Sequence, residues 1–303
     1  MSDYIGRFAP SPTGPLHVGS VIAALASFLD ARHHRGRWRV RMEDVDETRC
    51  DPAWADAILR QLDALQLTWD GAVMVQSQRK AAYEDALAQL RAAGHVFGCD
   101  CSRREIADSA LPGLDRPVYP GTCRQSGKSG PGLAWRLKAG KLDDPPINFD
   151  DAIQGRQSQW LARDVGDFVL KRRDGLFAYQ LAVVVDDHDQ RITHVMRGAD
   201  LLDSTPRQIH LQRLLGFAPC EYSHLPVAVN EAGQKLSKQT LAPAIDAADG
   251  VALLNRCLAF LGQPIWPAAS AAELLALAIP AWDRAAIPKA ASQPADRLTR
   301  PSA

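Results

Sequence analysis

The clearest indication of the fold is the segment RFAPSPTGPLHVG at residues 7–19. A short apolar segment at residues 4–8 predicts a strand before it, and apolar residues with helical spacing predict a helix at residues 18–34 after it. A turn rich in proline and glycine between a strand and a helix is where an open parallel sheet binds nucleotides. His17 begins the predicted helix, so its side chain suits phosphate oxygens that the helix dipole also attracts.

The segments beyond this turn extend an α/β pattern. Arginines alternate with apolar residues at positions 37–42, which predicts a second strand, and the order strand, helix, strand indicates a parallel sheet. Ser204 and Thr205 are candidate caps of a further helix, with Pro206 in its first turn and Gly216 after its last. The remaining predictions are strands at residues 179–185 and 191–196 and helices at residues 250–261 and 269–278.

Composition excludes several classes of protein. The 303 residues are 46% hydrophobic and 23% charged, as in an ordinary globular protein. The net charge is zero, which excludes a generally basic nucleic-acid coat protein and leaves RNA contacts to local patches. No apolar run is long enough to cross a bilayer, and the N-terminus lacks the features of a signal peptide. We therefore expect a cytoplasmic protein, in which clustered cysteines indicate a metal.

A second candidate phosphate contact is the segment KLSKQ at residues 235–239, which begins 218 residues after His17. Lys235 and Lys238 lie three residues apart close to Gly233, which suits a mobile loop that closes on a polyphosphate. Each ammonium group can stabilise the negative charge of pyrophosphate as it leaves the α-phosphorus. Taken alone, a His-x-Gly turn is usually a plain turn, and a lysine pair is usually a solvated surface loop.

Together the two segments resemble the paired HIGH and KMSKS motifs of the class I aminoacyl-tRNA synthetases. His17 and Gly19 match the first motif, whose last position is Ser20 here. In the second motif leucine replaces methionine and glutamine replaces the final serine. The resemblance implies a Rossmann-type parallel sheet and an ATP-dependent ligase that uses ATP with Mg²⁺. It also implies catalytic roles for His17, Gly19, Lys235 and Lys238, and ATP binding by His17, Gly19 and Lys238.

Longer segments are similar to the glutamate- and glutamine-specific branch of that family. They are residues 7–19, the triplet DDH at residues 186–188 and the segment ITHVMRGADLL at residues 192–202. The resemblance implies a glutamate pocket lined by Arg7, Ala9, Ser11, Glu43, Tyr179 and Arg197. The arginines suit the two carboxylates of glutamate, Glu43 suits its ammonium group, and a tyrosine hydroxyl adds selectivity. Either arginine suits the side-chain carboxylate, and by residue type alone Arg197 equally suits a structural ion pair.

Cysteines cluster at the start of a segment, residues 99–173, in which glycine, proline and basic residues become frequent. Cys99, Cys101 and Cys123 offer three thiolates, and zinc prefers sulfur in four-fold coordination. The alternative is three thiols without a metal. In the family that the chain resembles, a tyrosine completes a Cys-x-Cys…Tyr-x-x-x-Cys site, and Tyr119 has that spacing. The resemblance therefore implies one structural Zn²⁺ held by Cys99, Cys101, Tyr119 and Cys123.

The predicted architecture has three parts. A Rossmann-type catalytic domain takes residues 1–98 and 186–240, and an insertion with the zinc site and acceptor contacts takes residues 99–185. A short helical segment takes residues 241–303, which is too little chain for the anticodon-binding region of a bacterial glutamyl-tRNA synthetase.

This short layout, the Cys/Tyr site and the KLSKQ segment resemble the glutamyl-Q tRNA(Asp) synthetases. The resemblance implies that the chain activates glutamate as an adenylate and transfers it to the queuosine base at the wobble position of tRNA(Asp). One alternative is a conventional glutamyl-tRNA synthetase that charges tRNA(Glu). A second is a non-catalytic tRNA-binding paralogue, against which the presence of His17, Lys235 and Lys238 argues.

Overall fold

The structure is a computed structural model that describes residues 3–109, 118–230, 232–235 and 249–295, together with residue 298. The strands in these ranges are β1 (Ile5–Phe8), β2 (Arg37–Met42), β3 (Met74–Val75), β4 (Val96–Cys99), β5 (Ala134–Leu137), β6 (Ile147–Asp151), β7 (Gly155–Gln159), β8 (Phe168–Lys171), β9 (His194–Gly198), β10 (Glu221–Leu225), β11 (Val227–Val229) and β12 (Ser292–Pro294). The helices are α1 (Val18–His33), α2 (Pro52–Ala64), α3 (Lys80–Ala92), α4 (Arg103–Ser109), α5 (Leu161–Asp164), α6 (Tyr179–Asp189), α7 (Thr205–Leu215), α8 (Gly250–Phe260) and α9 (Ala271–Ala281).

Parallel strands form the centre of the fold, as the sequence predicts. The order β1–β2–β3 makes one parallel sheet, and β10 pairs in parallel with both β9 and β6. Strand β9 lies beside β1, where the Thr193 amide donates to the Ile5 carbonyl at 3.0 Å. Because β1 runs parallel to β2, and β9 runs parallel to β10, the carboxyl ends of the strands in each pair lie at the same edge. The predicted α/β class is confirmed.

Helix α1 links this sheet to the C-terminal part of the chain. One face of α1 packs on β1, β2 and β9, and the helix also contacts α8 and α9. These elements share one apolar core, in which Leu25, Leu29 and Trp38 are fully buried. The predicted C-terminal helices are therefore present, although the chain then returns to the sheet and pairs β12 in parallel with β11.

The segment predicted as a strand at residues 179–185 is helix α6, so that prediction is wrong. Its valine run, residues 183–185, favours a strand by propensity, but every residue from 181 to 187 is buried. A helix that is buried on all sides shows neither helical nor strand spacing clearly. Packing against α3 and α7 within a second core stabilises the helical form.

Other predicted boundaries differ only slightly from the observed ones. The strand predicted at residues 191–196 begins at His194, because Arg191 has a φ of +56° in the preceding turn. Helix α7 ends at Leu215, and its C-cap residue Gly216 adopts the left-handed conformation (φ +72°) that favours glycine. Helix α6 runs through residue 185, and the division of the chain at that point stays a prediction.

The cysteine-containing segment forms its own small structure. Strands β4, β5 and β8 make a three-stranded antiparallel sheet, and Cys99 is the last residue of β4. Phe97, Cys99, Tyr119 and Cys123 form a separate small core beside this sheet. Across the part of the chain that the structure describes, every helix is too short or too polar to cross a membrane.

Candidate active site

A cavity of about 520 Å³ opens at the carboxyl ends of β1, β2, β9 and β10. It is lined by His17 and Gly19 from the first motif and by Lys235 from the second. His17 and Lys235, 218 residues apart in sequence, therefore line one cleft. Lys238 lies outside the described residues. All six residues predicted to contact the amino acid also line this cavity: Arg7, Ala9, Ser11, Glu43, Tyr179 and Arg197.

His17 is held in a defined orientation at the start of α1. It is the N-cap residue, and its Nδ1 atom accepts a hydrogen bond from the Ser20 amide at 3.3 Å. Because Nδ1 accepts, the proton of a neutral imidazole lies on Nε2. The first turn of α1 contains no acidic residue, so the positive end of the helix dipole adds to this donor. The arrangement suits a phosphate oxygen.

Lys235 is held at the wall of the same cavity. Its backbone forms an antiparallel bridge with Val229 at the end of β11. Its Nζ atom lies 2.6 Å from Oδ2 of Asp200, which also lines the cavity. Both side chains are more than a third exposed, so this ion pair is screened by solvent and exchanges easily for another anion.

Buried ion pairs hold the charged residues that we predict to contact glutamate, Arg7 and Glu43. Arg41 is fully buried, and its Nη2 atom donates to Asp187 Oδ1 at 2.8 Å and to Glu43 Oε1 at 3.2 Å. Arg7 Nε donates to the same Asp187 oxygen at 3.4 Å. Burial opposes ionisation of Asp187, but Arg41 and Arg7 hold its pKa below the usual value. Burial outweighs the same two arginines at Glu43 and raises the pKa of that carboxyl.

Arg197 is fixed on three sides before any ligand arrives. Its Nε atom donates to His224 Nε2 at 3.0 Å, and its Nη2 atom donates to Thr205 Oγ1 at 2.9 Å. Its Nη1 atom donates to the Tyr179 hydroxyl at 3.4 Å. Arg197 is 5% exposed and lines the cavity, so its guanidinium presents a rigid planar donor.

Several residues of this site were not singled out from the sequence. In the sequence Arg41 is one arginine of a predicted strand, Asp187 stands in the DDH triplet without an implied role, and His224 belongs to none of the motifs. A signal existed for Asp187, because it follows an apolar run whose burial requires any charge within it to be paired. For His224 no local signal exists, since its partners come from other elements.

The predicted zinc ligands lie together. The three sulfur atoms of Cys99, Cys101 and Cys123 lie within 4.8 Å of one another, with 3.5 Å between Cys101 and Cys123. The Tyr119 hydroxyl oxygen is 3.5 Å from Cys99 Sγ and 3.6 Å from Cys101 Sγ. Ligand atoms around a tetrahedral zinc with bonds of about 2.3 Å lie roughly 3.8 Å apart. The four side chains therefore fit one zinc ion.

Neighbouring groups shift the pKa values of Cys99 and Cys101 in opposite directions. Burial opposes ionisation of Cys99, but its hydrogen bonds with Tyr119 and Arg136 hold the pKa of its thiol below the usual value. Burial raises the pKa of Cys101 to about 11. The Cys123 amide donates to the Tyr119 oxygen at 2.8 Å, which fixes that oxygen toward the sulfurs. Zinc binds the deprotonated form of a thiol, so a bound metal would displace the protons of these ligands.

Comparisons with known proteins agree with this geometry. The family described as "tRNA synthetases class I (E and Q), catalytic domain" matches residues 5–274. A glutamyl-Q tRNA(Asp) synthetase of Dechloromonas aromatica is 55% identical over 95% of this chain and 97% of its own length. One of Thiobacillus denitrificans is 54% identical over 92% of this chain and 93% of its own length.

Solved structures give the same result for the fold. The glutamate-tRNA synthetase of Elizabethkingia anophelis superposes with a TM-score of 0.78 at 26% identity, over 95% of this chain and 67% of that protein. A glutamate tRNA ligase of Elizabethkingia meningosepticum, solved in complex with its amino acid, gives 0.79 at 26% identity, over 98% and 68%. The chain therefore belongs to the glutamate- and glutamine-type class I tRNA synthetases, and within them to the glutamyl-Q tRNA(Asp) synthetases, as its sequence motifs predict.

Proposed function

We propose that this chain is an ATP-dependent ligase that activates L-glutamate and transfers it to the queuosine base at the wobble position of tRNA(Asp). The observation that carries the proposal is the single cavity shared by His17, Lys235 and the two arginines suited to glutamate. The two relatives named for this activity match the chain over 97% and 93% of their own lengths. This extent of similarity favours glutamylation of queuosine over charging of tRNA(Glu). Its partners are glutamate, ATP and tRNA, and we propose a cytoplasmic location.

In the first step an α-carboxylate oxygen of glutamate attacks the α-phosphorus of ATP, and pyrophosphate leaves. The products are glutamyl-adenylate and pyrophosphate, and Mg²⁺ accompanies the nucleotide. We assign His17, Gly19 and Lys238 to the nucleotide and Lys235 to the leaving pyrophosphate. No protein nucleophile is needed, so catalysis consists of positioning and charge stabilisation. The exchangeable pair of Lys235 with Asp200 supports this role, since an arriving phosphate can replace the carboxylate.

We assign the buried groups to glutamate. Arg7 and Arg197 bind its two carboxylates and Glu43 its ammonium group, with Ala9, Ser11 and Tyr179 completing the walls. In the second step a hydroxyl of the cyclopentene diol attacks the activated carbonyl, an ester forms and AMP leaves. Electrostatics support the assignment, because buried fixed charges bind a zwitterion more strongly than solvated ones.

We further propose that Cys99, Cys101, Tyr119 and Cys123 hold one structural Zn²⁺. The donor set and its spacing support this assignment. When bound, the ion would cross-link the end of β4 and the residues just after it to residues 119 and 123, which share only a small apolar core. Its contribution would be stability of the insertion, with no part in the chemistry at the cavity.

The test is incubation of the purified protein with labelled glutamate, ATP and one of four tRNAs. These are queuosine-containing tRNA(Asp), the same tRNA without its 3′-terminal adenosine, unmodified tRNA(Asp) and tRNA(Glu). We expect label on the first two alone, and nuclease digestion should release it with the anticodon fragment. Label on the 3′ end of tRNA(Glu) would support the conventional synthetase instead. Absence of both label and pyrophosphate exchange would support the non-catalytic paralogue.

A further inference from the structure

A buried histidine outside the cavity contacts one of the groups that we assign to glutamate. His224 lies on β10 with no exposed surface, and its Nδ1 atom lies 2.6 Å from Asp151 Oδ2. The other oxygen of Asp151 accepts the amides of Ile153, Gln154 and His224 at 3.0, 2.8 and 3.1 Å. A carboxylate with this many donors acts as an acceptor only. The proton shared with Asp151 therefore belongs to His224 Nδ1.

This arrangement determines what the other ring nitrogen can do. With the proton on Nδ1, Nε2 of a neutral imidazole is an acceptor, and it accepts from Arg197 Nε at 3.0 Å. Burial lowers the pKa of His224 and Arg197 lowers it further, which outweighs the opposing effect of Asp151. The ring is therefore neutral at physiological pH. A protonated ring would turn a second N–H toward the Arg197 guanidinium and break this contact.

The contact restricts the orientation of the guanidinium. His224 accepts from the Nε edge, while Thr205 Oγ1 and the Leu201 carbonyl accept from Nη2 at 2.9 and 3.3 Å. The plane of the group is then fixed from two sides, and Nη1 is left toward Tyr179 and the cavity. A guanidinium binds a carboxylate well only when its plane is aligned with it.

We propose that His224 is a positioning residue for glutamate binding, and that Asp151 selects the tautomer in which His224 accepts from Arg197. The two residues act through Arg197 and touch no substrate themselves. The inference rests on the proposed role of Arg197 in the glutamate site. A merely structural role is the competing explanation, because both residues are buried and well packed.

The substitution Asp151→Asn separates the two explanations. The asparagine oxygen keeps the three amide contacts, and its NH₂ group would donate to His224 Nδ1. The imidazole proton must then move to Nε2, where it faces the Arg197 Nε–H. We expect KM for glutamate in ATP–pyrophosphate exchange to rise about 10-fold or more, with KM for ATP within twofold of the parent. Nitrogen-15 NMR of the histidine ring should show the change of tautomer.

Two variants of His224 test the proposal if Asp151→Asn folds poorly. A glutamine side chain can place an oxygen where Nε2 lies, whereas asparagine reaches only the Nδ1 position. His224→Gln should therefore keep a KM for glutamate near the parent value, and His224→Asn should raise it about 10-fold. Equal KM values in these two variants would overturn the proposal. So would an unchanged KM in Asp151→Asn with the tautomer moved.

Two further variants complete the design. Asp30→Asn makes the same chemical change at another buried carboxylate with several donors, on α1, and should leave KM for glutamate unchanged. Arg197→Ala tests the underlying assignment. If Arg197→Ala leaves KM for glutamate unaltered, the proposed function of that arginine fails. If Arg197→Ala raises it and the Asp151 and His224 variants do not, only the positioning role fails.

Discussion

Arg284 forms a two-point ion pair with Asp30, 254 residues away in sequence, with Nη2–Oδ2 at 2.7 Å and Nε–Oδ1 at 3.1 Å. Asp30 is buried on α1 and also accepts from the Tyr4 hydroxyl and from Trp282 Nε1. The C-terminal part of the chain is thereby attached to the helix whose N-cap residue is His17.

Removing this charge should destabilise the whole fold. We expect Asp30→Asn to lower the free energy of unfolding by about 3 kcal/mol, because Arg284 loses its ionised partner in a buried site. Urea denaturation measures the change. Asp150→Asn is the control, since it removes a carboxylate whose ion pair with Arg156 is largely exposed, and its midpoint should not move. Equal midpoints for the two variants would contradict the prediction.

The two arginines should differ in what they recognise. In the proposed assignment one would contact the side-chain carboxylate of glutamate, and the other the α-carboxylate, which glutamine shares. We therefore expect Arg7→Ala and Arg197→Ala both to raise KM for glutamate about 100-fold. Only one of them should also lose the preference for glutamate over glutamine, and that variant identifies the side-chain contact. An unchanged preference in both variants would show that neither arginine reads the side chain.

Lys238 should act in adenylate formation and not in amino-acid binding. We expect Lys238→Ala to lower kcat of ATP–pyrophosphate exchange about 100-fold or more, because a charge that stabilises the transition state is lost. Binding of glutamate, followed by calorimetry, should survive. Lys80→Ala removes a lysine from an exposed pair with Glu47 and serves as the control. Unimpaired exchange in Lys238→Ala would remove the lysine segment from the mechanism.

The pH dependence of glutamate activation should follow Glu43. Burial raises the pKa of its carboxyl above the usual value, against the effects of Arg41 and Arg7. Only the ionised form binds an ammonium group, so kcat/KM for glutamate should fall as pH decreases through this raised pKa. The logarithm of kcat/KM plotted against pH reports the group in the free enzyme. Glu43→Gln should have a low kcat/KM for glutamate at every pH, and its pH profile should lack the inflection. If the profile of Glu43→Gln shows the same inflection, the titrating group is not Glu43.

We expect Tyr119 to bind the metal through its hydroxyl oxygen, which Tyr119→Phe removes. We expect one zinc per chain by elemental analysis, and a change in the visible spectrum of the cobalt-substituted protein on Tyr119→Phe. Cys123→Ser should lose the metal and lower the unfolding midpoint, whereas Cys50→Ser, outside the cluster, should keep it. Zinc-free parent protein with an unchanged midpoint after chelation would contradict the site.

The parts of this molecule that were predictable from sequence are those whose cause is local. The turn at residues 7–19 carries its own prolines, glycines and capping histidine, and α7 carries Pro206 and Gly216. The two phosphate motifs were recognisable because each is a short contiguous pattern. His17 and Lys235 lie at one cavity in the structure, a placement that neither pattern indicates by itself.

The features that could not be predicted from the sequence depend on contacts between distant elements. Helix α6 was predicted as a strand because Val183 to Val185 favour extended structure, and only its burial on all sides reverses that preference. The contacts of Arg197 with His224 and of His224 with Asp151 join β9, β10 and β6. Nothing in the neighbourhood of any one of these residues indicates the other two.

The attachment at Asp30 also constrains the order in which the molecule can be assembled during translation. Helix α1 emerges early from the ribosome, but the groups that neutralise and cover its buried carboxylate, Trp282 and Arg284, are about 250 residues further along. Until they emerge, the apolar face that α8 and α9 later cover is open to water. A nascent chain interrupted in this interval would therefore be a target for chaperones, even though its nucleotide-binding motifs have already been synthesised.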